Sequence, residues 1–188
     1  MKLILGSKSP RRKEILSMVT KDFSVCVSDC DESYEDSTPL CQVPQLLATK
    51  KAEAIEINDE EIVIGCDTVV VYDNELMGKP KDKNDAVRML KALSGTTHSV
   101  ISGLCIRTKE KCVSTSVTTY VTFKALADEE IENYVKAYNP VDKAGAYGIQ
   151  ESAGAFVEKI DGDFYNVVGL PLCKLCSVLK DEFGVSIL

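Results

Sequence analysis

At 188 residues, 45% hydrophobic and 27% charged, the chain is long enough to bury a core and too apolar for disorder, and one domain spanning 1–188 is expected. A net charge of -7 argues against a nucleic-acid backbone as the main partner, and no apolar run approaches the length of a membrane span. The opening MKLILG is too short for a signal-peptide core and meets charge at once, so the eight cysteines are expected as reduced thiols and the protein as cytoplasmic.

In chain order, Leu3 to Leu5 reads as a short buried strand, and Ser9 or Ser7 as the N-cap of a helix over Pro10 to Met18. FSVCVSD alternates like a strand and is followed by the acidic loop CDESYEDSTP and by a helix through VPQLLATKKAEAI. IVIGCDTVVVYDNELM predicts a buried strand, an interruption at Cys66-Asp67 and a hairpin turning at Asp73-Asn74. KDKNDAVRMLKALSG has helical periodicity, with Gly95 as its C-terminal cap. Two strands around HSVISGLCIRT and VSTSVTTYVTF are joined by the charged turn KEK. A helix from Asp128 to Tyr138, the glycine-rich DKAGAYGIQESAGAF, a turn at DGD and a helix from Pro171 to about Phe183 complete the chain. Strands and helices mix without strict alternation, which predicts an α/β or α+β class around a mixed sheet.

Four places carry candidate chemistry. In LGSKSPRRKEIL a strand, a small-residue turn and a helix start favour an anion, and Arg11 and Arg12 oppose the helix dipole unless a phosphate sits there. The alternative is two solvated arginines, one paired to Glu14. Asp67 interrupts an otherwise apolar stretch, so its carboxylate must be paired, hydrogen-bonded or on a metal. Gly78 and Pro80 fix the turn that carries Lys79, whereas Lys50 and Lys51 share a half-apolar helix on which either is a candidate for plain exposure. The glycines of DKAGAYGIQ let a backbone approach a ligand, with Gln150 placed to read a base edge or touch phosphate. Cations, one buried carboxylate and an acidic loop together suit a nucleotide phosphate with a divalent metal.

Two further features have structural readings. Cys173 and Cys176 form a C-x-x-C, and Cys26 and Cys30 stand four apart, a set that could hold zinc; helical spacing of Leu172, Leu175, Cys176 and Leu179 instead places one or both cysteines on a buried face. His98 has no partner pattern for nucleophilic catalysis and reads as a packed or locally bonded side chain.

LGSKSPRRKEIL, Asp31-Glu32, LATKKAEAI, GCDTVVV, GKP, AVRMLKALSGTTHSV, DKAGAYGIQ and GDFYNVVGLPL occur in an order that resembles the Maf-like nucleoside triphosphate pyrophosphatases, from about Leu3 to Leu179. SPRR together with DKAGAYGIQ is similar to the subgroup acting on dTTP and UTP; the 7-methyl-GTP subgroup differs at the second position after the proline and in the glycine-rich segment. The resemblance implies an elongated, two-lobed α/β fold related to inosine triphosphate pyrophosphatases, with an active-site cleft between lobes, and commonly a homodimer. It implies hydrolysis of a nucleoside triphosphate to monophosphate and pyrophosphate with Mg²⁺ or another divalent ion such as Mn²⁺. By matching motif it places Ser7 and Arg12, with Arg11 beside them, in a phosphate-binding turn. It makes Asp67 the catalytic aspartate, joined by Lys51, Lys79 and Gln150, with Glu32 (Asp31 is adjacent) and Asp67 as metal ligands. Gly6 stands where alanine is usual, and Glu151-Ser152 follows Gln150 where glycine is common, which bears on base preference.

The expected reaction is attack of water on the α-phosphorus with pyrophosphate leaving, by positioning and electrostatics. Asp67 accepts a proton, orients the water or holds the metal. Two rivals are a regulatory nucleotide-binding protein linked to septum formation and a pyrophosphatase for deaminated purines such as ITP.

Overall fold

The computed structural model describes residues 1–27 and 29–187. In chain order its elements are β1 (Lys2–Leu5), α1 (Pro10–Leu16), β2 (Phe23–Val25), α2 (Val43–Glu53), β3 (Glu61–Tyr72), β4 (Glu75–Met77) and α3 (Lys83–Leu93), followed by β5 (Thr97–Arg107), β6 (Cys112–Phe123), α4 (Asp128–Tyr138), β7 (Val157–Asp161), α5 (Phe164–Val168) and α6 (Leu172–Phe183). Short 3₁₀ turns at Ala144–Ala146 and Ser152–Phe156 organise the glycine-rich segment. The seven strands form one mixed sheet in the order β2-β1-β3-β5-β6-β7, with β4 paired to β3. Both β2 and β3 run parallel to β1, whereas β4 is antiparallel to β3 and β7 to β6. The class is mixed α/β, as the sequence predicts.

By compactness the chain divides into two units. The first comprises Met1–Thr68, Ser102–Val117 and Gly169–Leu188; the second comprises Val69–Ile101 and Thr118–Val168.

In the first unit α2 lies on the sheet through Ala48 and Ala52, both wholly buried with Ile4, Ile55, Val63 and Cys105. The contact is between backbones. A Cβ on Gly65 would overlap the Ala48 carbonyl and come within 2.9 Å of the Ala52 methyl, and one on Gly103 would overlap the Pro44 carbonyl. Two glycines on the strands and two alanines on the helix therefore fix how close α2 can come. Gly6, just past the end of β1, is also close-packed: an added Cβ would lie 2.9 Å from the Ile55 δ-methyl, the far end of a side chain that can give way.

The second unit is built around Phe123, Leu90, Leu93, Ile131, Tyr134 and Phe156. His98 is part of this core. Its ring lies 5.0 Å from that of Phe123 and 5.5 Å from that of Tyr147, both edge-on, and its Nε2 is 2.8 Å from the Tyr147 hydroxyl. His98 thus packs as expected, but its hydrogen-bond partner is 49 residues away rather than local.

Four sequence expectations change. β3 is continuous through Cys66 and Asp67, because the buried carboxylate is met by a lysine and the strand need not break. The FSVCVSD strand stops at Val25, where its partner β1 ends at Leu5; Ser28 of that stretch lies outside the described residues. α1 ends at Leu16, short of Met18, capped by Ser17. On α6 the buried stripe is Leu172, Leu175, Val178 and Leu179, which leaves Cys173 exposed and Cys176 half-buried, so neither cysteine lines the core. Among the described residues no three His, Cys, Asp or Glu side chains gather as a metal site. Gly95 follows the last turn of α3 at φ +67°, one residue past the cap Ser94, as its C-terminal role requires.

Gly103→Ala should lower the unfolding free energy by about 2–3 kcal/mol through overpacking, read from a urea unfolding curve; an unchanged midpoint would mean that α2 is not in backbone contact there. Burial pushes the His98 imidazole down to about 4 from 6.5. The unfolded ring therefore takes up a proton near pH 6.5 while the folded ring stays neutral, so this stability is complete above that pH and falls as pH drops toward 4. Between pH 7 and pH 5 the wild type should lose about 2 kcal/mol more than His98→Gln, and parallel pH profiles would refute the assignment.

Candidate active site

The first unit gathers most of the sequence candidates. Asp67, near the middle of β3, is 9% exposed, and its Oδ1 accepts a 2.5 Å hydrogen bond from Lys51 Nζ. Lys51 projects from the last turns of α2, so the close seating of that helix brings the ammonium down to the strand. A second carboxylate, Glu32, lies 3.1 Å from the same ammonium and is largely exposed. Burial disfavours the Lys51 charge, but the Asp67 carboxylate, followed by Glu32, outweighs it, and the net effect raises the lysine above its ordinary range.

The ambiguities between neighbours resolve. Asp31 is occupied within its own turn, where its carboxylate accepts from the Ser33 backbone N–H at 2.9 Å and from the Ser33 hydroxyl, so Glu32 is the loop carboxylate that faces Lys51. Lys50 turns the other way and donates to the Ser33 carbonyl at 2.7 Å, which ties the acidic loop to α2.

Arg12 is held from three sides. Its Nε donates to the Gly169 carbonyl at 2.8 Å, Nη1 to the Ser7 hydroxyl at 3.1 Å and Nη2 to the Thr68 hydroxyl at 3.2 Å. All three acceptors are neutral, so these bonds fix the guanidinium plane without cancelling its charge. Ser7 is buried and also accepts from the Ser9 N–H at 3.2 Å, while Ser9 caps α1 by accepting from the Arg12 N–H. Arg11 lies beside Arg12 in the first turn, half-buried. Of the two arginines, Arg12 is not paired to Glu14: its long side chain reaches Gly169.

Three groups in this arrangement were not singled out from the sequence. Thr68 follows Asp67 on β3, and its hydroxyl lies 2.8 Å from that of Ser102. Gly169 sits at φ +127°, a backbone conformation that favours glycine, and its carbonyl also accepts from the Cys66 thiol at 3.3 Å. The only sequence signal for it was the motif GDFYNVVGLPL, and neither a hydroxyl nor a backbone carbonyl has a distinctive pattern.

Lys79 and Gln150 belong to the second unit, where both are exposed. Lys79 follows β4 in the turn set by Gly78 and Pro80, and the Gly145 N–H donates to the Gly78 carbonyl at 3.1 Å, which joins that turn to the glycine-rich segment. In that segment Lys143 is nearly buried, 2.9 Å from Asp142 and 3.4 Å from Glu151. The charge that Glu151 adds after Gln150 is thus paired with Lys143.

Residues 2–182 match the Maf-like protein family. The chain belongs to that family. It is 48% identical over 192 residues to a dTTP/UTP pyrophosphatase of Clostridium novyi (strain NT), with all of both chains covered. It is 47% identical over 184 residues to a dTTP/UTP pyrophosphatase of Thermosipho africanus (strain TCF52B), covering 97% of this chain and 94% of the other. Among solved structures it is similar to the Ham1 protein of Staphylococcus aureus, with a TM-score of 0.46 and 11% identity over 68% of this chain and 73% of that one.

Because Asp67 is the larger support of the Lys51 charge, Asp67→Asn should leave burial opposed by Glu32 alone and lower the lysine's pKa relative to wild type. NMR titration of selectively labelled lysine reads this directly; a Lys51 signal that titrates at the same pH in both proteins would show that the pair is not formed in solution.

Proposed function

We propose that this Maf-like protein is a nucleoside triphosphate pyrophosphatase that hydrolyses dTTP and UTP to the monophosphate and pyrophosphate, a house-cleaning activity on the nucleotide pool. The observation that carries this reading is a buried carboxylate, Asp67, held by one lysine, in the same unit as a guanidinium whose three hydrogen bonds leave its charge available. The Maf-like family match and the dTTP/UTP names of its relatives support the same chemistry. A protein that only binds nucleotide has no need of the buried carboxylate, and nothing in the site favours a deaminated purine.

In the proposed reaction water attacks the α-phosphorus and pyrophosphate leaves. Lys51 holds Asp67 Oδ1, which leaves Oδ2 to take the water's proton or orient it. Arg12, fixed through Ser7, Thr68 and Gly169, binds phosphate oxygens, with Arg11 beside it. Lys79 and Gln150 complete the catalytic set on the family pattern. Glu32 and Asp67, two carboxylates sharing one ammonium, are oxygen donors that would hold a hard divalent cation, and we assign Mg²⁺ or Mn²⁺ to them. When bound, such an ion neutralises charge on the phosphate oxygens.

On the same basis residues 1–188 are proposed to act as one catalytic domain, in a cytoplasmic homodimer whose substrate is a free nucleotide and not a nucleic acid. No helix among the described residues is long and apolar enough to cross a membrane.

The test is pyrophosphate release with Mg²⁺ from a panel of standard, deaminated and modified triphosphates, with wild type beside Asp67→Asn. Turnover of dTTP and UTP is expected, with a loss of about 10³-fold or more in kcat for the variant, the combined scale of proton transfer and charge stabilisation. No turnover, or a variant equal to wild type, would sink the assignment and favour a binding protein; preferential turnover of ITP would move the substrate to deaminated purines.

A further inference from the structure

Away from the candidate active site, two thiols meet across the β5–β6 hairpin. Cys105 Sγ on β5 lies 3.5 Å from Cys112 Sγ on β6. Cys112, the first residue of β6, is exposed, whereas Cys105 is wholly buried in the cluster beneath α2 with Ala48 and Ala52. The turn between them is closed by the Thr108 N–H donating to the Lys111 carbonyl at 2.8 Å and the Lys111 N–H donating to the Thr108 hydroxyl at 3.1 Å, so the strand ends cannot drift apart. The two sulfurs are therefore unequal in access and held in register. A disulfide needs the sulfurs about 1.5 Å closer than this contact, a displacement within reach of side-chain rotation at a hairpin end.

We propose that Cys105 and Cys112 form a reversible intramolecular disulfide in response to hydroperoxides, with Cys112 as the reacting thiol and Cys105 as the resolving one. In the first step the Cys112 sulfur attacks the O–O bond; an S–O bond forms, the O–O bond breaks, and the alcohol or water leaves with the thiol proton. Cys112 is thereby oxidised by two electrons to a sulfenic acid and the hydroperoxide is reduced. In the second step the Cys105 sulfur attacks the Cys112 sulfur; the S–S bond forms, the S–O bond breaks, and hydroxide leaves as water with the Cys105 proton. Two thiols and one hydroperoxide give one disulfide, one alcohol or water, and one further water.

The division of labour follows from the surroundings. Burial, reinforced by the neighbouring Cys112, pushes the Cys105 thiol up to about 12, so it stays protonated and unreactive toward reagents in solution. Its proximity to Cys112 replaces intrinsic reactivity once a sulfenic acid has formed, since the second step is intramolecular. The loop closed between the two positions is short, so the link adds little chain-entropy stabilisation, and one of its sulfurs is exposed; both favour reopening by a dithiol. The site is independent of the nucleotide reading.

The test treats the reduced full-length protein with hydrogen peroxide, blocks remaining thiols with N-ethylmaleimide in denaturant, and maps tryptic peptides by mass spectrometry. Arg107, Lys109 and Lys111 lie between the two cysteines, so the bond appears as two peptides joined. The expected result is Cys105–Cys112 as the dominant cross-link, reversed by dithiothreitol. In Cys112→Ser, altered only at an exposed position, Cys105 should remain a maleimide-labelled thiol; in Cys105→Ser, Cys112 should be trapped by dimedone as sulfenic acid. Cys112 ending as sulfinic acid or joined to another cysteine in the wild type, with Cys105 still labelled, would overturn the proposal.

Discussion

The closeness of α2 to the sheet determines what the first unit can do. Gly65 and Gly103 on the strands and Ala48 and Ala52 on the helix let backbones touch, so the lysine in the last turns of α2 is delivered to the carboxylate on β3. A larger residue at any of these four positions would lift the helix by a fraction of the Lys51–Asp67 distance, and a charged hydrogen bond weakens steeply with such a change. The pair is poorly explained as a source of stability. Buried ion pairs lose most of their Coulombic gain to desolvation, and apolar replacements of the same volume often do as well. What an apolar pair cannot supply is an ionised carboxylate at a fixed place in the strand.

Charge is distributed unevenly between Lys51 and Arg12. Lys51 faces two carboxylates, so its surroundings carry a surplus of negative charge, whereas the hydrogen bonds of Arg12 go to neutral oxygens. In the proposed reaction a triphosphate would therefore be attracted to Arg12 and opposed near Asp67 and Glu32. Held by those carboxylates, a divalent cation would supply charge that offsets this opposition, which would give the acidic loop a part to play that a purely cationic site would not need. The tie from Lys50 to the Ser33 carbonyl keeps Glu32 beside Lys51 although the Glu32 side chain is largely in water.

How much of this was legible in the sequence depended on whether the deciding partner was near in the chain. The helix beginning at Pro10 follows from its serine cap and first-turn proline, the one beginning at Val43 from apolar spacing, and the hairpin at Asp73-Asn74 from its turn residues. The break expected at Asp67 did not occur because the group that satisfies the carboxylate stands 16 residues earlier on another element, beyond any local pattern. The choice between Lys50 and Lys51 depends on which side of the helix faces the sheet, and apolar spacing left it open. Thr68 and Gly169 were missed because their contribution is a hydroxyl and a carbonyl, groups available at a large share of positions. β7 and the five-residue α5 were missed for want of length, since neither completes enough periods to stand out from a glycine-rich loop.

The glycine-rich segment of the second unit shows the same dependence on distant partners. Ala146 stands at φ +64°, which costs an L residue roughly 1 kcal/mol or more, and persists only where its surroundings over-determine it. Those surroundings are visible: the Gly145 N–H is bonded to the Gly78 carbonyl, and Lys143 lies under Gly148, where an added Cβ would approach its side chain to 3.0 Å. Glu151 then closes on the Lys143 ammonium from beyond the turn, with its own N–H bonded to the Gly148 carbonyl at 3.0 Å. Gln150 is carried between two fixed points, Gly148 and Glu151, so its exposed side chain starts from a backbone that has little freedom left. A glycine in place of Glu151 would leave a nearly buried lysine with the exposed Asp142 as its one carboxylate partner among the described residues, and the cost of that ammonium would fall on the turn that presents Gln150. Glu151 therefore tethers the segment through Lys143 and does not add a free negative charge beside Gln150.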